Sequence, residues 1–288
     1  MKKIIIVTGA SSGMGVCFAS QLARESADFA LSSKESDRLL SSDEIWLIAR
    51  REDRLSEVKE KILREAEEFS SQHGKSLYPD VRVLPLDISG REGALKFKSA
   101  LDERCASEEI EISVLVNNAG FGTYGEFADT DTVREMDMVD LDCTALTGLT
   151  GFSLPYMKKG GRIINTASLA SFMPLGNFAV YGACKAYVLS FSVALAAELK
   201  HKGISVTALC PGPVSTEFAN VASKGARKEV RHGLSPEKTV AHCIKCSRKG
   251  KLYSMWAFKW KFKAAASRFV GRYAGAWFTY KYCKRPSN

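Results

Sequence analysis

Apolar runs of five or six residues recur along the chain at Lys3–Val7, Ile45–Ala49, Val81–Leu86, Ile112–Val116, Arg162–Ala167 and Ser205–Cys210. Such short, Ile- and Val-rich runs predict strands buried on both faces, as in a parallel sheet. Amphipathic stretches lie between them, notably Arg54–Phe69, Ala94–Cys105 and Val180–Leu199, and these predict helices. Strand and helix alternating in this way predict an α/β fold: a Rossmann-type, doubly wound parallel sheet in a single domain. No internal repeat of roughly 20–50 residues interrupts the pattern.

Two stretches depart from that rhythm. Ser26–Asp43 holds six serines in eighteen residues with mixed charges and no clear period. It reads as a surface insertion between the first helix and the second strand, either a tolerated loop or one that gates a site or meets a partner. Beyond Thr216, residues 216–234 are expected to form a flap. Ser235-Pro236-Glu237 has the signature of a helix start, with Ser as N-cap and Pro in the first turn. Lys251–Met255 is expected to supply a last strand. The organisation read from the sequence is therefore one α/β domain over 1–255 and a distinct C-terminal segment over 256–288.

Composition narrows the class. The 288 residues are 45% hydrophobic and 25% charged, which excludes disordered and collagen-like chains. The 8 cysteines are scattered, as in a protein of a reducing, cytoplasmic compartment rather than a disulfide scaffold. The apolar start stops at Thr8-Gly9, too early for a signal peptide, and no run approaches the roughly 18 residues of a membrane span. A soluble protein, or one bound to a membrane surface, is expected.

Charge adds an asymmetry. The net charge is +9, yet from Ser223 onward there are 17 Lys/Arg against 2 acids. From Trp256 the chain is aromatic as well as basic, and Phe258, Phe262, Phe269, Tyr273 and Trp277 fit one helical stripe. Rings beside cations suit the interface of an anionic bilayer. The same rings could instead line an apolar pocket or cover the core. Nucleic acid is the other polyanion such a tail could meet, but no binding module presents it, and none is expected as a partner.

Candidate chemistry begins after the first strand. Gly9, Ser11, Ser12, Gly13, Met14 and Gly15 form a glycine-rich turn that opens a helix, where free N–H groups and the helix dipole suit a pyrophosphate. The second strand ends in Arg50-Arg51 without the acid that would hold a ribose 2′-hydroxyl. Two guanidiniums suit a 2′-phosphate, so NADP(H) is favoured over NAD(H); the other reading is that they cap a surface turn. Tyr181 and Lys185 lie four apart on one helix face, and Ser168 ends the fifth strand at the carboxyl edge of the sheet. An ammonium near a phenol favours the phenolate, which makes Tyr181 a candidate general acid or base.

Taken in order, these pieces resemble the short-chain dehydrogenase/reductase family: Thr8–Gly15, Asp87, Asn117-Asn118-Ala119-Gly120, Ser168, Tyr181-x-x-x-Lys185 and Pro211-Gly212-Pro213-Val214-x-Thr216. The resemblance covers roughly residues 1–220. It implies reversible hydride transfer between a nicotinamide and a ketone or secondary alcohol, with Tyr181 moving the proton and Ser168 polarising the oxygen. It places Asp87 and Ile88 near the adenine, Asn118 with Ala119 and Gly120 beside the cofactor, and Pro211, Gly212, Val214 and Thr216 at the nicotinamide end. Lys185 would also hold the nicotinamide ribose. The family commonly pairs through the helices that would contain Leu146–Met157 and Tyr181–Leu199, so a homo-oligomer is implied.

One position departs from the family. Where it carries an Asn that helps hold a water leading to the lysine, this chain has Asp142, within Leu141-Asp142-Cys143-Thr144-Ala145-Leu146. The carboxylate would keep Lys185 protonated and retune the proton relay, or else impair it. Cys243-x-x-Cys246 beside His242 lacks the further ligands of a zinc site, and no metal is expected. His73, His201 and His232 fall in polar, loop-like contexts and are expected to be solvated. The function expected is NADP(H)-linked oxidation or reduction of an apolar molecule such as a steroid, bile acid or lipid-derived ketone. A small polar carbonyl substrate, or a catalytically weak NADP(H) sensor docked on membrane, are the alternatives.

Overall fold

The computed structural model describes residues 1–227, 230 and 233–287. Lys228, Glu229, Arg231, His232 and Asn288 lie outside the described residues, and with them the expectation for His232 and part of that for the 216–234 flap.

Seven strands form one sheet: β1 (Lys2–Thr8), β2 (Glu44–Ala49), β3 (Asp80–Pro85), β4 (Ile110–Asn117), β5 (Arg162–Thr166), β6 (Ser205–Leu209) and β7 (Tyr253–Ser254). Their order is β3-β2-β1-β4-β5-β6-β7, and every pairing is parallel. The apolar runs of the sequence are thus the strands, to within two residues at either end. The order reverses direction between β1 and β4, so a crevice opens at their carboxyl ends.

Helices α1 (Gly13–Leu31), α3 (Glu52–His73) and α9 (Pro236–Arg248) cover one face, and α4 (Gly90–Ser107), α6 (Leu146–Ser153) and α7 (Ala179–Leu199) the other; α2 (Glu35–Arg38) is a single turn. Alternation along β1 divides the core. Ile5 and Val7 pack with Phe18, Leu22, Leu55, Ile62 and Ile244, while Ile4 and Ile6 pack with Phe97, Leu101, Leu149 and Leu195. As expected, Ser235 caps α9, its hydroxyl accepting from Lys238 N at 3.2 Å.

The serine-rich stretch is not wholly a surface insertion. Helix α1 continues to Leu31, because Ala27 and Phe29 prolong the buried face begun by Phe18, Leu22 and Ala23. Ser26 is buried too; its hydroxyl donates to Ser42 O at 3.0 Å and accepts from Ser42 N at 2.7 Å. Only the segment between Leu31 and Ser42 stands out from the body.

Helix α5 (Thr132–Val139) runs into α6 through a π-helical stretch, Asp140–Ala145, and α8 (Phe218–Ala222) follows β6. The aromatic tail is not one helix. It forms α10 (Phe258–Ala266), a short turn at Ser267–Phe269 and α11 (Arg272–Tyr282), with extended backbone at Val270 and Gly271 breaking the stripe. Both tail helices pack closely on the body at a glycine. A Cβ on Gly212 would lie 2.3 Å from the Trp260 ring, and one on Gly176 would lie 2.6 Å from Tyr280 Cα.

Candidate active site

The glycine-rich turn is shaped by contacts that leave no room for side chains. Gly9 has φ +65°, and a Cβ there would meet Ala119 Cα at 2.9 Å; one on Gly15 would meet Gly9 O at 1.9 Å. Ser12, the residue before α1, makes no side-chain cap, so it leaves the first N–H groups of the helix uncapped at the edge of the cleft. Thr8 ties this turn to the end of β4: its hydroxyl accepts from Asn118 N and Ala119 N, each at 3.0 Å, and donates to Val116 O at 3.2 Å. A narrow cradle of bare backbone ending on an uncapped helix N-terminus fits a dinucleotide's pyrophosphate.

At the other end of the cleft, Arg50 and Arg51 are exposed at the end of β2. The Arg51 guanidinium stands 3.3 Å from Ser11 Oγ and 3.4 Å from Glu217 Oε2, which leaves it free to exchange a weak surface contact for a phosphate. Asp87 and Ile88 follow β3, where the Asp87 carboxylate accepts from Ser89 N at 3.0 Å.

The three catalytic candidates converge. Tyr181 and Lys185 are one turn apart on α7, with the ammonium 5.6 Å from the phenol ring centroid. Lys185 Nζ donates to Thr166 O at 3.1 Å and faces Asp142 Oδ2 at 2.9 Å. Asp142 Oδ1 accepts from Phe121 N at 3.2 Å, and Oδ2 meets no other donor among the described residues. Asp142 lies in the π-helical stretch, a distortion often found at functional sites. It therefore touches the lysine itself. Ser168 lies two residues past β5 rather than at its last residue, and its hydroxyl accepts from Ala170 N at 3.1 Å.

Electrostatics follow from this geometry. Burial pushes the Tyr181 phenol above its ordinary value; the Lys185 charge and the Ser168 hydroxyl pull it down, and the Asp142 charge pushes it up again. For Lys185 burial acts downward, but Asp142 and Tyr181 outweigh it and hold the ammonium above the usual lysine range. Burial raises the Asp142 carboxyl against the opposing pull of Lys185. The Tyr181 phenol, raised overall by burial, thus sits beside a lysine that is itself held in its charged form, with the Ser168 hydroxyl next to it.

A cavity of about 1360 Å3 joins all of this. Gly9, Ser11, Ser12, Gly13, Met14, Arg50, Arg51, Asp87, Ile88, Asn118, Ala119, Gly120, Ser168, Tyr181, Lys185, Pro211, Gly212, Val214 and Thr216 line it. Gly15 and Asp142 lie behind its wall. Sequence reasoning missed the aromatic surround: Phe178 stacks on Tyr181 at 4.1 Å and 11°, and Phe218 tilts against it at 5.4 Å. Phe178 sits immediately before α7, a position that could have marked it. Phe262, Phe278, Tyr282 and Arg285 of the tail also reach the cavity. His242 is elsewhere, bonded to Ser254 Oγ at 2.8 Å, and burial pushes the neighbouring Cys243 thiol up.

Comparison with known proteins agrees with this geometry. A profile of the short chain dehydrogenase family matches residues 43–227. The NADP-dependent 3-hydroxy acid dehydrogenase YdfG of Escherichia coli K12 is 31% identical over 229 residues, 77% of each chain. An uncharacterized oxidoreductase of Staphylococcus epidermidis is 28% identical over 232 residues, 80% of this chain and 85% of its own. Among solved structures, a short-chain dehydrogenase from Sphingobium yanoikuyae in complex with NADPH shares the fold with TM-score 0.70 at 24% identity, covering 93% of this chain and 94% of that one. A short-chain dehydrogenase/reductase from Burkholderia phymatum in complex with NAD does so with TM-score 0.70 at 18% identity, covering 93% and 92%. The chain belongs to the short-chain dehydrogenase/reductase family and is an oxidoreductase of alcohol and ketone groups that works with a nicotinamide dinucleotide.

Proposed function

We propose that the enzyme is NADP(H)-dependent and acts on the carbonyl or hydroxyl of an apolar molecule. The observation that carries the cofactor reading is the pair Arg50 and Arg51 at the end of β2, with no acid in their place. The NADP dependence named for YdfG supports it. The substrate reading rests on the aromatic surround of Tyr181, built by Phe178, Phe218 and Tyr124.

When bound, the nicotinamide supplies the hydride in reduction and accepts it in oxidation. Ser168 holds the reacting oxygen and Tyr181 gives it a proton, or removes one in the reverse direction. Lys185 stabilises the phenolate that results, and Asp142 holds the lysine cationic and in place. NADPH oxidation, with NADH in parallel, against steroid, fatty and small polar ketones tests this reading. Turnover with NADPH and an apolar ketone is expected; equal rates with NADH, or turnover of polar ketones alone, would refute it.

The tail supports a peripheral place on an anionic membrane facing the cytoplasm. Phe258, Phe269 and Tyr273 are 80%, 91% and 81% exposed among eight Lys/Arg and no acid in residues 256–288. The full chain is expected to sediment with phosphatidylglycerol vesicles and less so after Phe269→Ser and Tyr273→Ser. Equal sedimentation with neutral phosphatidylcholine vesicles would sink this reading. Self-association through α6 and the apolar outer side of α7, where Tyr187 stacks on Phe191, is the oligomer this reading favours; sedimentation velocity tests it.

A further inference from the structure

The substrate end of the cavity is apolar in its rings but not in its charge. Arg134, Arg227, Lys263, Lys284 and Arg285 line it, against a single acid among the described residues, Asp137. The other acids of the cavity belong elsewhere: Asp87 follows β3, and Glu217 pairs with Arg51. No carboxylate stands within ion-pair distance of Arg134, Arg227 or Arg285 among the described residues.

Arg285 is the most committed of these cations. Its guanidinium lies 5.2 Å over the ring of Phe178, the residue stacked on Tyr181, and Nη1 donates to Gly176 O at 2.9 Å. That contact uses one of five N–H donors and none of the charge. Desolvation, and then the like charge of Arg227, act against the cation, although an arginine remains protonated. Arg134 repeats the theme. It lies 5.0 Å over Phe121, bonds Val221 O at 2.9 Å, and keeps a buried Nε without a partner. Guanidiniums partly drawn out of water on aromatic rings, with donors to spare and no carboxylate in ion-pair contact among the described residues, make an incomplete site for an anion.

We propose that this end of the cavity binds a carboxylate, with Arg285 as its principal partner and Arg227 and Arg134 beside it. The substrate would then be an oxo or hydroxy acid whose apolar chain spans the aromatic chamber, its reacting oxygen at Tyr181 and its carboxylate at Arg285. This rests on the oxidoreductase reading for which carbon reacts, but the anion site itself does not depend on turnover.

Binding of two unreactive probes to the NADPH complex, read by nicotinamide fluorescence, separates the two questions. Decanoate is expected to bind about tenfold or more tightly than methyl decanoate, which shares its chain but carries a methyl ester in place of the charge. Arg285→Gln is expected to remove most of that preference while leaving the ester's affinity in place, and Arg285→Lys to retain part of it. Equal binding of acid and ester to the wild type, or no decanoate binding, overturns the carboxylate site without bearing on hydride transfer. A preference that survives both Arg285→Gln and Arg227→Gln overturns it too. Failure of the ketone panel with the preference intact would instead overturn the reaction and leave the site.

Discussion

Lys185 Nζ stands 2.9 Å from Asp142 Oδ2, and the aspartate side chain has no exposure to solvent. A buried carboxylate here does more than orient the lysine. It also acts on the phenol beside it: after burial, which raises Tyr181, the lysine's charge lowers it and the Asp142 charge raises it again.

Replacing Asp142 with Asn therefore separates orientation from charge. With the carboxylate gone, the Tyr181 phenol falls. In alcohol oxidation, which needs the phenolate, the rising limb of the pH–rate profile is expected to move to lower pH. In ketone reduction, which needs the neutral phenol, the falling limb is expected to move the same way. Profiles of the two enzymes measured in both directions check this; coincident profiles would mean that Asp142 has no electrical role.

Asp142→Ala tests the pair as structure. It leaves the Lys185 ammonium buried without its partner, a loss of about 3–5 kcal/mol at pH 7. Lys185 is held above its ordinary value in the fold, so the stabilisation its ammonium contributes is fully present below the usual lysine range and fades only as pH rises through the folded value, while the raised Asp142 carboxyl works against it once ionised. At pH 7 the lysine's share is therefore fully exposed to the loss of its partner. Urea unfolding should show it, and adding Lys185→Met to Asp142→Ala should restore most of the stability although not the activity.

Tyr181→Phe keeps the ring that stacks on Phe178 and removes only the hydroxyl, and with it the transferable proton. kcat is expected to drop by about 10²–10⁴ with NADPH affinity nearly unchanged. Fluorescence titration with NADPH beside steady-state rates would check both, and retained turnover would remove Tyr181 from its role.

Arg50→Ala with Arg51→Ala bears on cofactor choice. The loss of hydrogen bonds to a charged group is expected to weaken NADPH by about 10–100-fold while NADH changes little. An equal effect on both would return these arginines to the surface turn they also cap.

The sheet was legible because buried parallel strands carry their signal within five or six residues, as Lys3–Val7 does. Tyr181 and Lys185 were legible because four residues on a helix is a distance as well as a spacing. Asp142 was visible as a departure, but its direct contact with Lys185 joins residues 43 apart and depends on the π-helical stretch, which no local periodicity announces. The run of Phe258–Trp277 reads as one helix only while the extended backbone at Val270 and Gly271 goes unrecognised. Arg285 was counted among the basic residues of the tail, yet its place over Phe178 is set by α11 docking on Gly176, far away in sequence.

That docking has a consequence for how such an enzyme changes its diet. Trp260 leans on the loop of Pro211–Gly212, and Tyr280 on the loop that leads into Tyr181, so the last two helices clamp the reaction centre from outside the sheet. The cavity beside Tyr181 is thus walled jointly, by Phe178, Phe218 and Tyr124 of the body and by Phe262, Phe278, Tyr282 and Arg285 of the tail. Under the proposed reading, reshaping α10 and α11 is expected to shift which substrate is accepted without touching the glycine turn, the serine, the tyrosine or the lysine.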